Sequence, residues 1–234
     1  MFRYAVLGVI GLAAGNAWAQ QAPPPEGTTA PSSSPASVQP SKAVTSMEEP
    51  IAGDHWTYEV RDEISGTVRG NRTNVVAEVT PTEISVRFKV EGSNNNEGIN
   101  VYDRSWNLVD ARPWRFSPND GSGIRTPLAV GKTWTFQTSN VNSANGNAWK
   151  RSGTSKVVGQ ETVTTRAGTF ETFKIETSYT AHNVNDPTRK DEVTAQTWYA
   201  PAIDHWVKRT SVIRSDKHLR ENNSLELTEY GRKP

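Results

Sequence analysis

Residues 84–90 read Ile84-Ser85-Val86-Arg87-Phe88-Lys89-Val90, and this segment is the clearest indication of the fold class. Apolar residues occupy every second position, and the residues between them are polar or charged. Because successive side chains of a β-strand point to opposite faces, a period of two predicts a strand with one buried face. Residues 173–179 repeat the pattern, and residues 56–60 show it in a shorter form. The other strand candidates are residues 74–80, 99–106, 133–139, 149–158, 192–199, 206–213 and 224–230.

Short turn signals separate these candidate strands. They are Ser65-Gly66, Thr80-Pro81, Asn119-Asp120-Gly121, Asn145-Gly146 and Asn185-Asp186-Pro187. No stretch combines a sustained helical period with caps at both ends. About ten strands joined by short turns therefore predict an all-β fold, a single antiparallel meander that forms a barrel, a half-barrel or a sandwich.

The N-terminal residues predict export. Arg3 precedes the apolar run of residues 5–14, which is too short to cross a bilayer, and Ala17-Trp18-Ala19 forms a small-x-small cleavage site before Gln20. Residues 1–19 are therefore predicted to be a cleavable signal peptide, and the mature protein is expected in the periplasm or secreted. No later apolar run approaches membrane length, so we expect no integral membrane segment after cleavage.

Residues 20–50 predict a disordered linker ahead of one all-β domain, residues 51–234. Half of the fourteen prolines lie in this segment, interleaved with Ser, Thr and Ala and without an aromatic residue. Such a segment buries too little apolar surface to offset its ordering entropy, and its prolines favour an extended spacer. A docking motif for a partner is the alternative interpretation.

Composition excludes several classes of function. The chain has no cysteine, which excludes disulfides, thiol catalysis and thiolate metal sites. Lys and Arg number 26 against 25 Asp and Glu, and removal of Arg3 with the signal peptide leaves a balanced chain. Without a basic excess, nucleic-acid binding is not expected.

Two strand openings resemble each other. Residues 53–58 and 131–136 share the pattern Gly-x-x-Trp-Thr-aromatic. The pattern fits either a duplicated sheet unit or two strands that begin alike, and the small number of matched positions favours the second interpretation.

Three motifs carry a family resemblance. Residues 167–175 read Ala-Gly-Thr-Phe-Glu-Thr-Phe-Lys-Ile, and residues 197–201 and 206–209 read Thr-Trp-Tyr-Ala-Pro and Trp-Val-Lys-Arg. Together they resemble a group of bacterial exported β-domain proteins similar to the family called domain of unknown function 3108. The resemblance implies an all-β extracytoplasmic domain and supplies no active site. Arg166 stands where that family commonly has proline, and Asp204-His205 where it usually has a turn glycine.

The motifs also have a structural interpretation. Gly168 is expected to form a tight turn with positive φ, because it carries no Cβ. Pro201 is expected to end a strand, because proline cannot donate to a sheet ladder.

No motif of nucleophilic, phosphate-binding or zinc-dependent catalysis is present. A carboxylate and an imidazole are neighbours in two tripeptides, Asp54-His55-Trp56 and Asp204-His205-Trp206. Because neighbouring side chains on a strand point to opposite faces, we interpret both tripeptides as turns ahead of an inward tryptophan. A hairpin-tip group could hold a hard cation, although a solvated turn fits its spacing better; it contains His182, Asp186, Asp191 and Glu192. No catalytic, cofactor-binding or metal-binding residue is predicted.

The tryptophans fall into two sets. Trp56, Trp134 and Trp206 begin strands and are predicted to lie in the core. Three others lie among polar or loop-like residues, where a core position and a ligand groove are about equally favoured; they are Trp106, Trp114 and Trp149.

The leading functional hypothesis is a non-enzymatic domain that binds or scaffolds an unknown ligand or protein at the bacterial cell envelope. The first alternative is a half-barrel carrier of an apolar ligand (a lipid or lipoprotein), which predicts an open face lined by Ile84, Val86, Phe88, Phe173 and Ile175. The second is a carbohydrate-active or other hydrolytic enzyme, which predicts a cleft where two carboxylates, or His and Asp, converge.

Overall fold

The computed structural model describes residues 47–92 and 96–232. The predicted signal peptide and residues 20–46 of the predicted linker lie outside this range, so those two assignments stay predictions. Within the range the chain forms twelve strands and one short 3₁₀ helix, Pro201–Ile203. The strands are β1 His55–Asp62, β2 Thr67–Val79, β3 Glu83–Gly92, β4 Asn96–Asp103, β5 Leu108–Ala111, β6 Trp114–Ser117, β7 Thr133–Asn142, β8 Ala148–Thr165, β9 Gly168–Asn183, β10 Lys190–Ala200, β11 His205–Ser215 and β12 His218–Gly231.

The strands form a closed antiparallel barrel. Each strand pairs with the next one along the chain, and β1 pairs with β12 to close the sheet. The all-β prediction is confirmed, and among its three architectures the barrel is the one observed. Two strands escaped the sequence analysis because β5 and β6 have only four residues each, too few to display a period. The candidate strand 99–106 ends earlier than expected, since Trp106 lies in the turn after β4 with φ 60°.

The two similar strand openings also match in their backbone hydrogen bonds. The N–H of Gly53 donates to the carbonyl of Val76, and the N–H of Gly131 donates in the same way to Val157, each at 2.8 Å. Both glycines have positive φ, 95° and 89°. The return bonds match as well: Val76 N–H donates to Asp54, and Val157 N–H to Lys132. This agreement favours a duplicated sheet unit over two strands that merely begin alike.

Two clusters of buried apolar side chains gather at the end of the barrel where β1 and β7 begin, and we call this end the packed half. The larger cluster includes Trp56, Tyr58, Val76, Ile84, Val86, Trp106, Ile203, Trp206 and Leu227. The smaller cluster consists of Ile124, Trp134, Val157, Ile175 and Tyr199. Trp56, Trp134 and Trp206 are 0%, 6% and 9% exposed, which confirms that they are core residues.

Met47 belongs to the larger cluster although sequence analysis places it in the linker. Its side chain is fully buried, and its N–H donates to the carbonyl of Ala202 at 2.7 Å. A single methionine among polar residues has no periodicity, so nothing in the sequence indicates that it packs against the barrel.

The loop between β6 and β7 contributes Ile124 to the smaller cluster and thereby covers inward residues of the barrel wall. Asp103, the last residue of β4, and Asn107, in the turn after it, hold this loop. Asn107 Oδ1 accepts from the N–H of Gly123 at 2.7 Å, and Asp103 Oδ2 accepts from Asn119 Nδ2, also at 2.7 Å. The loop is therefore fastened to the turn beside it by side-chain hydrogen bonds.

The opposite end of the interior is polar, and the β8–β9 ladder shows the change along its inner face. Its inner pairs run from Trp149↔Asn183 and Arg151↔Ala181 through Ser155↔Thr177 to Val157↔Ile175. We call the end with the polar inner residues the polar half. Its inward members include Arg72, Asn74, Asn100, Asn140, Arg151, Tyr179, Arg209 and Ser211.

The turn residues of the family motifs act as expected. Gly168 has φ 146° at the start of β9, and β10 ends at Ala200, directly before Pro201. Asp204, which replaces the usual glycine, takes the left-handed conformation with φ 43°. Asp is among the few residues with a side chain that tolerate this region.

Across the part of the chain described above, no helix is both long and apolar enough to span a bilayer.

Candidate functional site: the polar half of the barrel

Two adjoining cavities lie in the polar half. One has a volume of about 330 Å³ and is lined by residues of β2, β4 and β9–β12, together with the loop before β7. The other has a volume of about 390 Å³ and is lined by residues of β5–β12. Tyr179, Val193 and Ile213 line both cavities, so the two spaces adjoin across these three side chains. Both volumes lie in the range of small-molecule sites, about 300–1,000 Å³.

Three partly buried arginines line these cavities, and each lies over an aromatic ring. Arg72 and Arg209 line the first cavity, and Arg151 lines the second. Arg72 is 4.5 Å from the centroid of Phe88, and Arg209 is 5.5 Å from that of Trp206. Arg151 lies over two rings, Phe116 at 5.1 Å and Tyr179 at 5.6 Å. Aromatic faces stabilise a guanidinium group without neutralising its charge.

None of the three arginines forms an ion pair with a carboxylate in residues 47–92 and 96–232. Arg72 Nε donates instead to the amide oxygen of Asn74 at 3.0 Å. Arg151 Nε is fully buried and has no hydrogen-bond partner among these residues. Asn140 Oδ1, on the wall of the same cavity, is likewise buried without a partner. Buried polar atoms are normally satisfied, so this donor and this acceptor are exceptions among the described residues and favour a polar ligand in the cavity that both residues line.

The carboxylates of the cavities bind neutral donors rather than these arginines. Asp120 accepts from the N–H of Leu108 at 2.8 Å and from the hydroxyl of Ser122 at 2.5 Å. Asp191 accepts from the hydroxyl of Ser215 and lies 4.0 Å from Arg220 at the rim. The arginines therefore keep a positive field inside the polar half.

Tyr179 lies within the electrostatic influence of two of these arginines, Arg151 and Arg209. Burial raises the pKa of its phenol, while the charges of Arg151 and Arg209 act in the opposite direction. Gly153 lies opposite Tyr179 in the β8–β9 ladder, and a Cβ there would come within 2.4 Å of the Tyr179 Cβ. Glycine at this position therefore gives the ring room inside the barrel.

The two Asp-His-Trp tripeptides do not form Asp–His pairs. His205 is buried in the packed half, where its ring stacks on Trp56 at 4.3 Å and its Nδ1 lies 2.6 Å from the Tyr58 hydroxyl. Burial lowers the pKa of His205 to about 3, so the ring is neutral. In the other tripeptide the buried Asp54 binds Arg232 through two 2.9 Å hydrogen bonds, and His55 lies on the outer face near Glu229.

Asp204 binds Tyr199 rather than His205. The Tyr199 hydroxyl donates to Asp204 Oδ1 at 2.5 Å, and burial raises the pKa of Asp204 to about 6. Both residues line a wider cavity of about 1,000 Å³ at the packed end, beside Glu48, Glu49 and Arg104. Carboxylates predominate there and Asp204 already has a donor, so the polar half remains the better candidate site.

The hairpin tip between β9 and β10 is a solvated turn, as predicted. His182, Asp186 and Glu192 are exposed, and the Asp186 carboxylate accepts from the hydroxyl and N–H of Thr188. In the residues that the structure describes, no cluster of three or more His, Asp or Glu side chains could hold a metal ion.

The undecided tryptophans differ in position. Trp106 is 3% exposed in the packed cluster and also borders the first cavity, whereas Trp114 and Trp149 line the second cavity of the polar half. Of the apolar face expected of a carrier, Ile84, Val86 and Ile175 are 0–3% exposed within the clusters, whereas Phe88 and Phe173 are partly exposed. The sequence analysis missed Arg72, Arg151 and Arg209, because a charged residue at alternate positions is ordinarily taken to point outward.

Comparison with known proteins supports the fold. Residues 132–217 match the model of a family described as DUF3108-like. A candidate lipoprotein from Parabacteroides distasonis has 14% identity and a TM-score of 0.55, over 80% of this chain and 99% of its own. A candidate exported protein with a YmcC-like fold from Bacteroides fragilis has 16% identity and a TM-score of 0.51, over 81% of this chain and 100% of its own. At these identities the likeness shows the fold alone.

No curated protein matches the chain. The resemblance that the sequence motifs indicated is nevertheless confirmed: the chain is similar to the DUF3108-like family over residues 132–217 and shares its barrel fold with the two bacterial proteins.

Proposed function

We propose that this chain is a non-enzymatic, extracytoplasmic binding protein of the bacterial cell envelope, which takes a small ligand into the polar half of its barrel. The observation that carries the proposal is the pair of adjoining cavities lined by arginine, asparagine and aromatic side chains. Sites of this kind combine apolar walls with a few convergent polar groups. The predicted signal peptide and the descriptions of the two similar proteins, one a lipoprotein and one exported, support the location.

The state of the buried titratable groups supports binding over catalysis. A general base must reach the proton that it removes, yet His205 is enclosed by tryptophans and held by Tyr58. Asp54 is occupied by Arg232, and Asp204 by Tyr199. The arginines that line the cavities donate hydrogen bonds at all ordinary pH values and do not exchange protons. Two of the carboxylates beside them, Asp120 and Asp191, already accept from the hydroxyls of Ser122 and Ser215.

The test is native mass spectrometry of the mature protein purified from a bacterial periplasm, with a variant that fills the cavity. Ser211 lines the first cavity, whereas its neighbour Thr210 lies on the outer face of the same strand. We expect wild type and Thr210→Phe to carry a bound small molecule, and Ser211→Phe to lose it.

Circular dichroism and the melting temperature establish that both variants are folded. Retention of the same bound species by folded Ser211→Phe would contradict the proposal. The proposal would also be contradicted if wild type shows no bound mass and its melting temperature does not rise when the small-molecule fraction of a periplasmic extract is added.

A further inference from the structure

We propose that the ligand of the polar half is an oxyanion, a small molecule bearing a carboxylate or phosphate group, bound by Arg72, Arg209 and Arg151. This inference rests on the proposed function and adds the chemical class of the ligand. It follows from the balance of charge, the cost of burying that charge, and the arrangement of donors.

The charge balance inside the barrel differs from that of the chain. The whole sequence has 26 basic against 25 acidic residues. The first cavity, however, has two arginines against one aspartate, Asp120. The second has three arginines against two carboxylates, and two of its arginines, Arg189 and Arg220, are exposed at the rim. Both cavities are therefore positive while the protein as a whole is nearly neutral.

Charge enclosed in this way is costly without a counter-charge. Taking a guanidinium group partly out of water costs free energy that an opposite charge or several hydrogen bonds must offset. Arg72, Arg209 and Arg151 are only partly exposed, and the aspartates nearest to them bind hydroxyl and backbone donors. The aromatic contacts offset part of the cost but do not supply negative charge. A bound oxyanion would supply it.

The donors line two adjoining cavities from several strands of the wall. Arg72 and Arg209 face one cavity from β2 and β11, on different parts of the wall. Arg151 faces the adjoining cavity with its Nε unpartnered. Guanidinium groups bind carboxylate and phosphate through parallel hydrogen bonds, which makes arginine the usual residue at such sites. The amide group of Asn140 adds a site for a hydroxyl or amide group of the same ligand.

The experiment compares probes that differ only in the anionic group. Isothermal titration of the mature protein at low ionic strength would use glycerol 3-phosphate against glycerol, and succinate against succinamide. We expect at least one anion of the two pairs to bind, and its neutral partner to bind about tenfold or more weakly. The pair that responds distinguishes a phosphate ligand from a carboxylate ligand.

Variants then locate the site. Arg209→Met, Arg72→Met and Arg151→Met should each weaken the anion by about tenfold. Arg209→Lys controls for misfolding, because it keeps the positive charge. It lacks the fork of donors of a guanidinium group, so it should also bind the anion more weakly. The matched control is Arg87→Met, which removes the same charge from the exposed face of β3 and should bind as wild type does.

Equal binding of the anionic and neutral probes, or unchanged binding in all three methionine variants, would overturn the inference. If Arg209→Met keeps the species seen by native mass spectrometry while Ser211→Phe loses it, the proposed function stands and the oxyanion fails. If neither Ser211→Phe nor the arginine variants change binding, both fail.

Discussion

In the packed half, the His205 ring lies 4.3, 4.8 and 3.8 Å from the ring centroids of Trp56, Trp106 and Trp206, and it stays neutral. In the polar half, Arg151 also lies against two aromatic rings, yet it carries its charge into a cavity. Similar aromatic surroundings therefore accompany opposite electrostatic outcomes. The difference begins with the side chains, because a guanidinium group stays charged in proteins whereas burial removes the charge of an imidazole. The surroundings differ as well, because tryptophans fill the space around the histidine whereas the arginine adjoins about 390 Å³.

This contrast indicates that the two ends of the barrel have different roles, one in stability and one in binding. A chain without cysteine has no disulfide to constrain it, so its stability depends on close packing such as that of the packed half. The other half can then hold unpaired donors at some cost to stability. The variants that follow test this difference between the packed half and the polar half.

The largest effect is expected from protonation of His205. Its pKa is lowered from 6.5 to about 3 because burial disfavours the charged ring. A lowered folded-state pKa contributes stability that is present above pH 6.5 and is lost as the pH falls toward 3, on the order of 5 kcal/mol in all. His205→Asn should remove this acid-dependent loss, as measured by urea unfolding across that pH range.

The control for this prediction is His55→Asn, which replaces the same residue type on the outer face. It should keep the acid-dependent loss of wild type. An identical pH profile for His205→Asn and wild type would show that the packed half does not exclude the charge.

Truncation of a tryptophan should cost more in the packed half than in the polar half. Trp56 is fully buried, so Trp56→Ala is expected to lower the free energy of unfolding by about 3–5 kcal/mol. Trp114 is half-buried beside a cavity, and Trp114→Ala is expected to cost only about 1 kcal/mol. Chemical denaturation at neutral pH measures both, and equal losses would remove the distinction between the two halves.

Asp204 should make the packed end less stable as the pH rises. Burial raises its pKa from 3.8 to about 6, so the stability it contributes is complete below pH 3.8 and is lost as the pH rises through 6, about 3 kcal/mol in all. Asp204→Asn keeps an acceptor for Tyr199 and tolerates the left-handed backbone, so it should abolish this loss.

Asp216→Asn is the matched control for Asp204, because Asp216 also has positive φ, 50°, but is exposed. Its unfolding profile should follow that of wild type. The trend at Asp204 runs opposite to that at His205, so the double variant should show a flatter pH profile than either single variant.

Alternation was sufficient to predict the all-β class from the sequence, with the barrel as one of three architectures, but it concealed the site. Ile84 and Val86 alternate with polar residues and are buried as expected, because the packed half obeys the rule that apolar side chains point inward. Arg72 and Arg151 break that rule, since a polar interior reverses the usual meaning of a charged position. The four-residue strands and the loop that carries Ile124 depend on contacts between distant segments, which no local period encodes.

The smallest expected effect concerns the free energy of local opening, which should differ between strands of the barrel. β8 and β9 pair from Trp149↔Asn183 to Thr165↔Gly168 with one register shift, whereas β5 and β6 pair only at Asp110↔Arg115 and Ala111↔Trp114. Amides of β5 and β6 are therefore expected to exchange with deuterium well before those of β8, because few hydrogen bonds must break to open them. Ala111 and Trp114 line the second cavity, so opening of this part of the wall would expose the cavity that Arg151 lines. If the anionic probe that binds best slows exchange in β5 and β6 more than in β8, ligand entry and opening of the wall are coupled. If the β5–β6 and β8–β9 pairs are equally protected without ligand, the ligand enters elsewhere.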